Sequence, residues 1–213
     1  MYRPTQFRED RRPVLAAAIK ELQFASLVSF TGQQLLASHI PMLLKDESGC
    51  LQLEGHVARG NPQWKQLDGN VEALALFVGP HSYVSPSWYA SKNEHQRVVP
   101  TWNYISVQVC GPLTVIDDPE WLLGHVRELT DQNELNQDMP WSVDDAPREF
   151  IEQLCGAIVG FRLEVRTMEG AWKMAQHKSE EDRMGVIHGL RQSDNDSSQC
   201  VANVMARLEE KRS

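Results

Sequence analysis

Five clusters of polar and aromatic residues interrupt otherwise apolar stretches of the chain, and each carries side chains that could hold a ligand. The first, Ser38-His39-Ile40-Pro41, sits inside an apolar run. Proline lacks the backbone N–H that a strand needs. Pro41 therefore marks an edge or bulge where backbone groups and the His39 ring can face something other than a neighbouring strand. An edge strand with a hydrogen-bonded histidine would look the same. The second cluster is Gly55-His56-Val57-Ala58-Arg59-Gly60-Asn61-Pro62-Gln63-Trp64. Its small residues, Ala58 among them, would let a ligand approach the backbone closely. The planar Arg59 guanidinium suits a phosphate, and Asn61 before Pro62 can cap the turn that follows. The alternative is an ordinary strand exit with Arg59 in solvent. His39 and His56 do not read as metal ligands: their spacing matches no compact motif, and no nearby Asp or Cys completes a tetrahedron.

In the third cluster, Phe77 to Tyr89, the residues Ser85, Trp88 and Tyr89 stand among two prolines. They could wall a flat ring or pack as a loop closing a barrel end. The fourth, Val99 to Tyr104, puts Thr101, Asn103 and Tyr104 just before a strand. The fifth, Trp172 to Arg183, carries Gln176, Lys178 and Arg183 beside an expected helix N-terminus at Ser179, where anions are welcome. A surface helix start whose charges pair among themselves is the other reading.

Several familiar devices are missing. The chain has no G-x-G-x-x-G, G-x-x-x-x-G-K-[ST], G-x-S-x-G or H-E-x-x-H, which argues against a Rossmann dehydrogenase, a P-loop NTPase, an α/β-hydrolase and a zincin. The four cysteines, Cys50, Cys110, Cys155 and Cys200, lie tens of residues apart with no C-x-x-C pair, so they read as reduced thiols. The formal net charge is −8. Proteins that grip DNA through its phosphates usually present a basic face, and here basic residues are scattered apart from Arg11–Arg12 and Lys211–Arg212. The N-terminal MYRPTQFREDRRP shows no basic segment followed by an apolar one, and the longest apolar run, Ala73 to Val78, is too short for a bilayer. A cytoplasmic protein is expected.

The elements that must position these clusters follow from periodicity. Asp10 and the RRPVLAAAIKELQ after it predict a helix with Val14, Leu15, Ala18, Ile19 and Leu22 on one face. ASLVSF and QQLLASHIPMLL predict two strands around Thr31–Gly32, LQLEGHVA a third, EALALFVG a fourth, and NYISVQVCGPLTVID a longer fifth. Asp118–Pro119 starts a helix, a second covers Pro147 to Cys155, and VGFRLEVRTMEGAWKMA returns to strand alternation. Ser179-Glu180-Glu181-Asp182 fits a capping signature, and Val201, Val204, Met205 and Leu208 make a last amphipathic helix. About six strands with short connections and peripheral helices predict a mainly β protein built on an antiparallel barrel, in one domain over residues 1–190. Residues 191–213, a polar break and a helix, belong to that domain or form an appendage.

Taken in order, MYRPTQF, HIP, GHVARGNPQW, FVGPHSYVSPSWY, VPTWNY and KSEEDRMGVIHGL resemble the PaiB family of FMN-binding transcriptional regulators, from Met1 to about Leu190. The resemblance implies a flavin-reductase-like or pyridoxamine-oxidase-like split barrel, a homodimer, and FMN held where the two subunits meet. FMN needs cations for its phosphate, polar partners for its ribityl chain and backbone groups for its ring edge. Arg59, Lys178 and Arg183 then become phosphate candidates, and Thr101, Asn103, Ser85 and Gln176 ribityl candidates. Backbone around His39 to Pro41 and His56 to Ala58 could face the isoalloxazine, with Trp88 or Tyr104 beside it. Met174-Ala175-Gln176-His177 departs from the Leu-Ser-Gln-Asn expected of the family. The family implies negative regulation of transcription, with DNA as a possible partner. A flavin-dependent oxidoreductase on the same fold is the alternative, and an interaction module with an empty pocket a third.

Overall fold

The computed structural model describes residues 1–30, 32–67 and 71–211. Thr31 of the expected turn and Arg212 of the terminal basic pair lie outside them. In chain order the described residues form β1 (Arg8–Glu9), α1 (Arg12–Leu22), β2 (Phe24–Phe30), β3 (Leu35–Pro41), β4 (Leu43–Glu47), β5 (Cys50–Ala58), β6 (Glu72–Val84), α2 (Lys92–His95), β7 (Thr101–Ile116), α3 (Pro119–Glu134), α4 (Arg148–Cys155), β8 (Ile158–Glu164), β9 (Thr167–Lys173), α5 (Glu180–Arg191) and α6 (Asp196–Glu210). They fall into two compact units, one of residues 16–77 and 108–168, the other of residues 1–15, 78–107 and 169–213.

The 16–77/108–168 unit is a sheet in the order β3-β2-β6-β7-β8-β5-β4. Its pairs β2–β3, β2–β6, β4–β5, β5–β8 and β7–β8 are all antiparallel. Alternation on β5 buries Leu51, Leu53, Gly55 and Val57 as the sequence pattern predicts. Glu54 is buried too, because the Arg162 guanidinium on β8 donates to it at 2.9 and 2.6 Å. The single strand expected over QQLLASHIPMLL is two. At Met42 the backbone N–H donates to the Gln23 carbonyl, so β3 pairs with β2 while β4 turns to β5. Likewise β8 ends where Val165 and Arg166 donate to Leu51 and Cys110, and Gly111 allows this: a Cβ there would lie 1.7 Å from the Glu164 carbonyl oxygen. These two breaks, together with the short β1, raise six expected strands to nine among the described residues. Helix α3 starts as predicted, Asp118 accepting from the Trp121 N–H at 2.7 Å with Pro119 behind it.

In the 1–15/78–107/169–213 unit, β1 pairs with β9, and β9 with β7. Its core gathers Val84, Ile105, Met174, Val186, Leu190, Val201 and Met205 around α5 and α6. The stretch after Gly79, for which the sequence offers a loop closing a barrel end, continues as strand to Val84. Burial switches there from odd to even positions across Pro80 and His81, where proline needs no ladder bond. Ser197 at the start of α6 replaces the missing neighbour, its hydroxyl accepting from the His81 N–H at 3.0 Å and donating to the His81 carbonyl at 2.8 Å. No described helix is long and apolar enough to cross a membrane.

Candidate cofactor site

Residues 172–179 leave β9 and turn into α5. Ala175 takes a left-handed backbone (φ 59), a conformation that non-glycine residues rarely hold and that tends to mark sites under functional constraint. Gln176 braces the turn: its Oε1 accepts from the Met174 N–H at 2.7 Å, and its Nε2 donates to the Trp172 carbonyl. The turn presents three basic side chains. Lys173 donates to the Thr101 hydroxyl at 2.6 Å, and burial pulls its ammonium below the ordinary lysine range. Lys178 lies 4.7 Å from the centroid of the Tyr89 ring, a cation–π contact. Between them His177 is held below its usual value by burial, then by Lys178 and Lys173. Neither lysine forms an ion pair with a described residue. Two ammonium groups on one turn without a carboxylate partner among the described residues are a place where an anion would be welcome.

Other candidates in this unit are differently engaged. Arg183 is buried, its Nε and Nη2 donating to Glu209 on α6 at 2.8 and 2.6 Å and its Nη1 to the Lys178 carbonyl at 2.5 Å. That guanidinium ties α6 to the start of α5. Ser179 caps α5, accepting from the Asp182 N–H at 3.3 Å. Asn103 is fully buried beneath α6, its Nδ2 3.3 Å from the Met205 sulfur and its Oδ1 without a partner. Ser85 caps the short turn Pro86–Trp88 by accepting from the Ser87 N–H. Tyr89 is buried, and burial followed by the Asp182 charge raises its hydroxyl pKa. Tyr104 is half-buried on β7.

The remaining candidates lie in the sheet unit. His39 is exposed, its Nδ1 3.0 Å from the Ser26 hydroxyl across the β2–β3 pair, and Pro41 ends β3. Asn61 works as a local cap and tether, accepting from the Gln63 N–H at 2.9 Å and donating to Ser38 at 2.8 Å, while Ser38 donates to Gln63 at 2.6 Å. Arg59 is fully committed. It donates to both oxygens of Asp117 at 2.8 and 2.5 Å and to the carbonyls of Gly156 and Ile158. Exposed Ala58 ends β5, its carbonyl accepting from the Asn61 N–H. His56 turns inward to His125 of α3, with 3.1 Å between ring nitrogens, and burial lowers its pKa.

The geometry thus gathers Tyr89, Thr101, Gln176 and Lys178 in one unit and adds Lys173 and His177, which the sequence reading passed over. The available signal was three basic residues within six positions at a strand-to-helix turn. The residues fit FMN: two lysines without a carboxylate partner among the described residues for the phosphate, a hydroxyl already oriented by one of them, and an aromatic ring beside the other. Lys178 also borders a cleft of about 500 Å3 with Arg97, Glu94, Glu181 and Asp182. Three carboxylates against two cations make that side the poorer place for a dianion, and the Lys173–Thr101 side the better one.

Residues 1–167 match a family model described as "Putative FMN-binding domain". Over 205 residues, 96% of each chain, the sequence is 30% identical to "Protease synthase and sporulation protein PAI 2" of Bacillus subtilis. It is 33% identical to an uncharacterized protein of Emericella nidulans, over 93% of this chain and 88% of the other. Among solved structures, the FAD and heme binding protein from Mycobacterium smegmatis superposes with a TM-score of 0.59 at 14% identity, covering 83% of this chain and 78% of that one. The flavocytochrome Anf3 from Azotobacter vinelandii gives 0.55 at 12% identity, covering 86% and 78%. At these identities the likeness is one of fold, the antiparallel split barrel.

Proposed function

Since the chain belongs to the PaiB-type FMN-binding family, with FMN as its cofactor, we propose that it is a homodimeric flavoprotein whose output is regulatory. The observation that carries the cofactor part is the cationic turn, where Lys173 and Lys178 form no ion pair with a described residue and Lys173 donates to the Thr101 hydroxyl at 2.6 Å. Lys173 would hold the phosphate with Thr101 positioned by its ammonium, and Lys178 would add charge beside Tyr89. Bound FMN supplies reversible electron transfer; the residues named here bind and orient it.

The second subunit is supported by an apolar face. On β2 and β3 the outward residues Phe24, Phe30 and Leu35 are 60%, 53% and 71% exposed. Phe30 pairs directly with Leu35, and Val28 with Ala37, so the apolar patch crosses both strands here, and the Ser26–His39 pair separates it from Phe24. A flat apolar row on an edge strand, which has β2 on one side only, calls for a cover, and a second copy of this chain brings an identical row by two-fold symmetry.

A flavin-dependent oxidoreductase is the second reading, favoured by an open aromatic cleft in the same unit as the cationic turn, which a sensor does not need. Titration of flavin-free protein with FMN and riboflavin tests the cofactor assignment: FMN should bind more tightly by the contribution of its phosphate. FMN-loaded protein should then form a complex with duplex DNA from upstream of its own gene that weakens as salt rises. Oxidation of reduced nicotinamide without any such complex would turn the assignment to the enzyme.

A further inference from the structure

Strand β6, the start of β7, the end of α5 and the start of α6 enclose a cleft of about 580 Å3, within the range of small-molecule sites. Its walls are aromatic: His81, Tyr83, Trp88 and Trp102. Trp102 is 53% exposed and Tyr83 46%, although both sit in strands with apolar positions available. The Tyr83 and His81 rings each lie with centroids 6.2 Å from the Trp102 ring, the tyrosine edge-on and the histidine tilted by 35°, so two neighbours brace an indole that stays half exposed. Trp88 is fixed from behind by Gly189 of α5, where a Cβ would approach the indole to 2.4 Å.

The polar lining is neutral throughout. Ser82 and Ser198 bond to each other at 2.8 Å, and Ser197 is committed to the His81 main chain. Asn195 gives its Oδ1 to the Ser198 N–H, while Gln192 reaches His188 through its Nε2. Among the described residues no carboxylate, ammonium or guanidinium lines the cleft, and His81 contributes its one imidazole. A phosphorylated cofactor would find no counter-charge there, and a free carboxylate or amine would be desolvated without a partner. A flat uncharged ring system would stack on Trp102 and offer its hydrogen-bonding edge to the side-chain amides of Asn195 and Gln192.

We propose that this cleft is a second ligand site, separate from the phosphate-binding turn, and that it takes an uncharged fused heteroaromatic with a lactam-like edge. Gly189 of α5, Gln192, Ser193 and Asn195 of the connection, and Ser197 and Ser198 of α6 all lie beyond the residues matched by the family model, so this chain's C-terminal segment builds much of the site. The site does not depend on the flavin reading.

The probe is quinolin-2-one, titrated by calorimetry into full-length protein, once flavin-free and once saturated with FMN, with quinoline-2-carboxylate as the charged analogue of similar shape. Quinolin-2-one should bind in both states, and the carboxylate at least about tenfold more weakly, since it pays for desolvation without a partner. Trp102→Ala should weaken quinolin-2-one by roughly tenfold through loss of one stacking face, with Trp102→Phe close to wild type. Gln192→Ala, at an exposed helix end where the amide meets His188, gives a second variant whose melting temperature is checked alongside its affinity. No binding at millimolar probe, unchanged affinity in both Trp102→Ala and Gln192→Ala, or equal binding of the carboxylate would each overturn the proposal. Displacement of the probe by FMN would also overturn it, by making the cleft the flavin's own. Probe binding in a protein that takes up no flavin would leave this site standing and remove the flavin reading instead.

Discussion

Lys173 and Arg183 look interchangeable as cations near a helix start, yet their surroundings separate them. Arg183 is buried with a bidentate carboxylate partner; Lys173 is half-buried with only a hydroxyl. Removing one member of a buried ion pair strands the other, so Arg183→Ala should cost about 3 kcal/mol and lower the melting temperature of flavin-free protein. Lys173→Met keeps the apolar stem and relieves a desolvated charge. It should leave the melting temperature near wild type while weakening FMN by tenfold or more, about 1.4 kcal/mol, and riboflavin little. Flavin titrations and thermal scans of both variants check the pair; equal losses for FMN and riboflavin in Lys173→Met would remove it from the phosphate. The sequence carries the types of these residues but not their partners. Arg183 and Glu209 are twenty-six positions apart, and Arg59 meets Asp117 across fifty-eight. Phosphate candidates chosen by charge alone therefore include two arginines that the fold has already paired. Asn61 was legible as a cap because its partner is two residues away.

Helices α3 and α5 each dock through one aromatic. Trp121 of α3 stacks on His125 (centroids 5.0 Å apart, planes 5° apart) and fills the space left by Gly160, where a Cβ would meet the indole at 2.1 Å. His125 is buried, bonded to His56 through Nε2, and its Nδ1 has no partner. Burial first, then the charges of His56 and Lys45, hold its pKa down to about 4. The unfolded chain takes up a proton near the ordinary 6.5, whereas the folded pair resists it. Stability is therefore full above about pH 6.5 and falls as pH drops toward about 4, by roughly 3 kcal/mol for His125 alone. Urea unfolding between pH 7 and 4.5 should show this slope, and His125→Phe should flatten it; an unchanged slope would assign the acid sensitivity elsewhere. On α5, Gly189→Ala should destabilise by about 1–3 kcal/mol through collision with Trp88, and Trp88→Ala should relieve that increment. Gly124→Ala on α3, with nothing within 4 Å of its Cβ, should be neutral or stabilising, by up to about 1 kcal/mol. Helix starts were legible because caps and proline act locally. Strand ends were not: β6 runs on past Pro80 because Ser197, over a hundred residues later, satisfies His81.

For the whole molecule, two features decide how much of the chain acts as one body. Helix α6 buries Val201, Ala202 and Met205 in the core of its unit and supplies Glu209 to Arg183. Deleting residues 192–213 should therefore give insoluble or loosely packed protein by circular dichroism and dye binding; a well-folded truncated protein would make the helix an appendage. The broad class, an antiparallel β protein with helices at its edges, was legible from period-two runs joined by short turns. Its strand order was not, since β5 pairs with β8 a hundred residues on and no local pattern encodes that choice. The second feature is the outward row on β2 and β3. Phe24, Phe30 and Leu35 would each gain about 1.5–3 kcal/mol on full burial, and Phe30 pairs directly with Leu35 beside the Val28–Ala37 pair. Light scattering on the full chain should report a dimer at micromolar concentration. A glutamate in the strip places a charge opposite its own symmetry mate, so Phe30→Glu with Leu35→Glu should give monomer. The exposure of both positions keeps the fold intact, which circular dichroism would register. If FMN is held where two subunits meet, that monomer should also lose most of its FMN affinity. A monomeric variant that binds FMN as well as wild type would leave the dimer standing but confine the cofactor to one chain, and a wild-type monomer with saturating FMN would end the dimer proposal.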